Sequence, residues 1–89
     1  MVTITVERGK HAQERAGEEL WVFECDDQDV ARRLSDMLTG NGQFQSVITL
    51  AGHSASFTTL KAHREHCEKN LENLAVAANM GKEVEMVFS

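Results

Sequence analysis

The stretch LKAHREHCEKNLENLA, residues 60–75, places His63, His66 and Cys67 within five positions. Imidazole and thiolate are the side chains that bind zinc and carry nucleophilic chemistry. His63 and Cys67 are one helical turn apart and could supply two ligands, with His53 or Cys25 completing a tetrahedral set. Structural zinc sites are usually written as short-spaced ligand pairs at both ends of the set, and this chain has no such pairing. The same two residues could form a thiolate–imidazole pair. A reactive cysteine, however, needs partial exposure and a lowered pKa, often at a helix N-terminus. Cys67 instead falls in the middle of a helical pattern on its apolar stripe, where burial raises the pKa. The sequence therefore assigns no catalytic residue, no metal and no cofactor, and it reads Cys67 as a packing residue.

The elements around these residues follow from periodicity. Over residues 60–79, Leu60, Cys67, Leu71, Leu74, Ala75 and Ala78 share one stripe at about 100° per residue, with Lys61, Glu65, Glu68, Lys69 and Glu72 opposite. On this helix His63 sits at the stripe's margin and His66 points away from it. DDQDVARRLSDMLT is a second helix. Asp26 or Asp27 can cap it, and Val30, Leu34, Met37 and Leu38 recur at helical spacing. Gly40-Asn41-Gly42 is expected to end it in the left-handed conformation.

VTITVE (2–7) alternates like a half-buried strand. LWVFEC (20–25) is apolar on both faces, Trp21, Phe23 and Cys25 on one and Leu20 and Val22 on the other. FQSVITL (44–50) and ASFTT (55–59) form a hairpin around Gly52-His53, and KEVEMVFS closes the chain with Val84, Met86 and Phe88 inward. The expected architecture is one α+β domain over residues 1–89. It is a two-layer sandwich in which two helices cover one face of a mainly antiparallel five-stranded sheet, in the order β-βαββαβ. A ferredoxin-like or similar open-faced sandwich is the expected topology.

Nine Lys and Arg against fourteen Asp and Glu give a net charge of −5. A basic face for nucleic acid is lacking, and no apolar run reaches the ~18 residues that span a bilayer. The N-terminus carries no secretory pattern, so the cytoplasm is the expected compartment. The cationic residues Arg8, Lys10, His11 and Arg15 concentrate in the connection 8–19, which reads as a loop able to meet an acidic partner. The acidic run Glu24, Asp26, Asp27 and Asp29 reads first as helix capping.

Residues 44–58, FQSVITLAGHSASFT, and 74–88, LAVAANMGKEVEMVF, resemble the second half of the histidine-containing phosphocarrier family. The resemblance implies an open-faced sandwich and a phosphate-accepting histidine that opens the first helix in a Gly-x-His-x-Arg-Pro motif. Here that helix opens with CDDQDVARR, without histidine. GKHAQERA (9–16) echoes the motif around His11 but lacks its proline.

A binding function follows. With Trp21 and Phe23 turned to the helices, Leu20 and Val22 face outward, near Val47 and Val87. An uncovered apolar sheet face marks an interface. The sequence points to a non-enzymatic protein-binding module, a regulator, adaptor or inhibitor of the kind small acidic phage and mobile-element proteins provide. It is expected to self-associate. Arg8, Lys10, His11, Arg15, Leu20 and Val22 are the expected partner-binding residues. The alternative is a small ligand- or metal-binding domain or enzyme using His63 and Cys67, or, as the resemblance implies, a phosphocarrier-like domain lacking the phosphate-accepting histidine.

Overall fold

A computed structural model describes residues 1–10 and 15–89. The elements run β1 (Val2–Arg8), β2 (Glu18–Cys25), α1 (Gln28–Thr39), β3 (Gln45–Leu50), β4 (Ser54–Leu60), a 3-10 turn (Lys61–His63), α2 (Arg64–Ala77) and β5 (Val84–Phe88). They form one five-stranded sheet in the order β3-β4-β2-β1-β5. Every neighbouring pair is antiparallel except β1 and β5, which run parallel. Both helices lie on the face that carries the core, so the architecture is the α+β sandwich expected.

The strand order departs from a plain ferredoxin-like sheet at one place. The last strand does not pair with β2, because β1 already occupies that edge. β5 pairs with β1 instead, Ile4 opposite Met86. A leading strand hairpinned onto β2 is satisfied locally before β5 exists, and β5 then takes the next free edge.

Strand alternation builds the core. Val2, Ile4 and Val6 of β1, Trp21, Phe23 and Cys25 of β2, and Ala55 and Phe57 of β4 are buried beneath Val30, Ala31, Leu34 and Leu38 of α1 and Cys67, Leu71 and Ala75 of α2. Phe44 and Phe57 meet edge to face with centroids 5.1 Å apart at 87°, the arrangement their quadrupoles favour, while Trp21 and Phe23 tilt against Phe57. Removing a side chain such as Leu34 from this core would cost about 2–5 kcal/mol.

Two local expectations are corrected. Gly40 has φ −85°, so the first helix does not end in a left-handed residue. Asn41 holds the turn: its backbone N–H donates to Leu38 O and its side-chain Oδ1 accepts from Gln43 N. Leu60 belongs to the end of β4, where it is exposed, rather than to the apolar stripe of α2. The helix proper begins four residues later than its periodicity suggests, after a 3-10 turn.

Candidate functional site

The strand β1 delivers Arg8 to the core side of the sheet, because residue 8 continues the inward phase of Val2, Ile4 and Val6. Its guanidinium lies 5.0 Å from the Phe88 ring centroid and 5.9 Å from that of Trp21, and it pairs with Glu68 of α2. Desolvation first, and then the neighbouring Arg64 charge, lower its pKa, against the opposing pull of Glu19. Arg8 is therefore a partly buried structural cation, not the free loop residue expected from sequence. Lys10 and Arg15 are exposed, and His11 lies outside the described residues.

Glu19 shares that inward phase one strand over, and is only 7% exposed. Its Oε1 accepts from Trp21 Nε1 at 2.7 Å and from Arg64 Nε at 3.1 Å. Arg64 also approaches Glu68 at 4.0 Å. Two arginines and two glutamates thus neutralise one another at one end of the core and tie the first turns of α2 to β1 and β2. A buried carboxylate without such partners would be strongly disfavoured. The inward position of Glu19, though not its pairing, was legible: extending the Trp21–Phe23–Cys25 alternation two residues backward places it indoors.

The proposed zinc set does not assemble. Cys25 and His53 are joined by a backbone hydrogen bond, Cys25 N to His53 O, at the start of β4. His63 and Cys67 lie beyond its other end, about 20 Å along the strand for the six steps from Ser54 to Leu60 at ~3.3 Å each. No group of three His, Cys, Asp or Glu able to hold a metal occurs among the described residues. Both thiols are free and buried, and burial is the main cause that raises their pKa values. Neither is poised as a thiolate.

What His63, His66 and Cys67 do share is a recess of about 400 Å³ with Glu18, Gln43, Gln45, Thr59 and Leu60 on its walls. It exists because β3 is cut short. The pairing of β3 with β4 starts at Gln45 and Thr58 and is interrupted by a bulge before Ile48, with Ser46 at φ 52°. The last residues of β4 consequently project past β3. The loop before β3 is pinned to α2 by Asn70 Nδ2 donating to Gln43 Oε1 at 2.6 Å. Thr59, 3% exposed, sits in this wall, and its Oγ1 finds no hydrogen-bond partner among the described residues. A buried polar group left so costs about 1–3 kcal/mol. His66, which periodicity turned away from the core, is exposed and lines the recess.

The helix-free face of the sheet is the third feature. Leu20 and Val22 are half-buried there, while Ile48, Leu50 and Val87 are exposed, Ile48 by 57%. Val47, expected beside them, faces the other way and packs on the core, since the bulge shifts the phase of β3 by one residue. Register lines up Ile48, Ser56, Val22 and Glu7 across four strands. The small residues Ser54 and Ser56 of β4 thus floor a shallow trough between an aliphatic ridge on β3 and another on β2. Glu7, Glu18, Glu24 and Glu85 share this face or its rim. Among the described residues, no helix is long and apolar enough to cross a membrane.

No protein-family model, curated protein or solved structure matches the chain. The likeness of residues 44–58 and 74–88 to the phosphocarriers thus gains no support from these comparisons.

Proposed function

We propose that the protein is a non-enzymatic cytoplasmic binding module that works by protein–protein contact through the helix-free face of its sheet, pairing there with a second copy. The observation that carries this reading is the ridge–trough–ridge relief of Leu20 and Val22, Ser54 and Ser56, and Ile48 and Leu50. Under a two-fold axis, the β3 ridge of one copy fits the β4 trough of the other, and aliphatic surface leaves water on both. The raised pKa values of the buried thiols, and the mutual neutralisation of Arg8, Glu19, Arg64 and Glu68, favour a structural over a catalytic use of those residues. The partner-binding surface then rests on Leu20 and Val22, joined by Ile48 and Leu50, and not on Arg8.

The glutamates on this face set the salt dependence. Two copies bring like charges together, so added salt strengthens the dimer by screening them. A partner with a cationic rim is the second reading, favoured by the same four carboxylates, and its binding weakens with salt. Static light scattering against ionic strength tests the first reading: a dimer fraction that rises with salt is expected, and a monomer throughout overturns it.

A further inference from the structure

The recess where β4 runs into α2 is separate from the ridges of the sheet face and independent of the dimer. Its volume of about 400 Å³ lies within the ~300–1,000 Å³ range of small-molecule pockets. Glu18 is on its walls, but strand alternation turns the carboxylate toward the helix-free face with Leu20 and Val22. Among the described residues, no lysine or arginine lines the recess. What its walls hold is hydrogen-bond donors.

Two of these donors have no partner. Thr59 is 3% exposed on the core side, and its hydroxyl pairs with nothing among the described residues. Leu60, next to it, offers a backbone N–H. The bonds Cys25 N to His53 O and Lys61 N to Gly17 O bracket the pairing of β2 with β4. Their alternation directs the backbone of Thr59 to β2 and the N–H of Leu60 to the opposite side, where β3 would continue. The Gln45–Thr58 register sets Gln43 opposite Leu60, but Gln43 lies outside the strand. Its own N–H donates to Asn41 Oδ1, and its Oε1 accepts from Asn70. The Leu60 N–H therefore opens into the recess with no backbone partner among the described residues.

Gln43 Nε2 and the imidazoles of His63 and His66 border the same space and can also donate. His63 caps α2 without a side-chain hydrogen bond, which leaves the positive end of the helix dipole beside the recess. Glu65, the acid of that first turn, is not on the walls. Donors that converge without a lysine or arginine suit a singly charged acceptor better than a phosphate. On the core side, Cys67 adds apolar surface beyond what a carboxylate alone would cover. We propose that the recess binds a small organic carboxylate with a short apolar tail. Its oxygens accept from the Leu60 N–H, the Thr59 hydroxyl and the donors of Gln43, His63 and His66.

The test is a titration of the ¹⁵N-labelled full chain with sodium 4-methylpentanoate at constant ionic strength, followed by amide chemical shifts. Saturable shifts confined to Gln43, Leu60, His63 and His66 and their neighbours are expected at millimolar ligand. The Leu60 amide proton should move downfield and exchange more slowly with solvent. 4-Methylpentanamide, which lacks the charge, should bind at least about tenfold more weakly. Thr59→Val should weaken binding of the acid by about the same factor. That variant should keep the spectrum of the folded chain and melt no lower than the parent. The proposal is overturned if the acid gives no saturable shifts up to about 10 mM. It is equally overturned if the amide or inorganic phosphate binds as well as the acid, or if Thr59→Val binds it unchanged.

Discussion

Thr59 shows how one side chain reports on the fold and on a site at once. Its hydroxyl is buried without a partner among the described residues, so replacing it by valine removes an unpaired polar group and keeps the shape. Thr59→Val should raise unfolding stability by about 1 kcal/mol in urea titration; a loss of that size would mean the hydroxyl is satisfied in solution. Ala51 sits at φ 52° in the turn between β3 and β4, a conformation that costs a side chain with a Cβ about 1–2 kcal/mol. Ala51→Gly should recover about 0.5–1 kcal/mol of this by the same measurement. Asp27 caps α1 and pairs with Lys82. The Lys82 hydrogen bond first, and then the Val30 backbone N–H, hold its pKa below the ordinary 3.8, while Asp27 raises that of Lys82 above 10.5. The lowered carboxyl contributes stability that is present above about pH 4 and lost as pH falls through its folded value. The raised ammonium contributes stability present below about pH 10.4 and lost as pH climbs through its folded value. Asp27→Asn should therefore flatten both the acid and the alkaline limb of the melting-temperature profile, and an unchanged profile would remove the pair from the account.

Among the elements, strands and helices were legible where periodicity was uninterrupted. Val2–Ile4–Val6, Trp21–Phe23–Cys25 and Val30–Leu34–Leu38 each place their residues on the buried side, as alternation and helical spacing require. Legibility failed where an element ends on polar residues. Glu18 and Glu19 read as loop because they are charged, yet β2 begins there. Arg8 likewise reads as the start of a loop and is the inward end of β1. The burial of Arg8 and Glu19 depends on partners in α2, Glu68 and Arg64, 45 or more positions away, and no local pattern records such a pairing. The bulge in β3 was hidden for a similar reason: it shifts Val47 inward without any glycine to announce it. The recess was half visible through His63 and Cys67, but its other walls come from the loop before β3 and from β4. The charge cluster that fastens α2 makes its own prediction. Glu19→Ala leaves Trp21 Nε1 without its acceptor and brings Arg8 and Arg64 together uncompensated, so unfolding should become easier by about 3 kcal/mol. Glu19→Gln, which keeps an acceptor for the indole, should cost less, and equal losses would show that the charge alone carries the effect.

At the scale of the whole molecule, the sheet divides its side chains between a core face covered by the helices and a helix-free face that the proposed association would cover. Phe23→Lys buries an unpaired ammonium under the helices and should abolish the folded state in far-ultraviolet circular dichroism. Val22→Lys, one residue away, changes only the outer face, where register sets it between Glu7 and Ser56. It should leave the fold intact and break the ridge proposed to meet a second copy. The measurement that bears most directly on this account is the mass of the unmodified chain and of Val22→Lys by static light scattering at micromolar concentration, in about 50 and 500 mM NaCl, where screening lengths differ severalfold. A dimer of the unmodified chain that strengthens with salt, beside a folded Val22→Lys monomer, is the predicted result. A monomer of the unmodified chain at both salt concentrations, or a Val22→Lys variant that still dimerises, would contradict it.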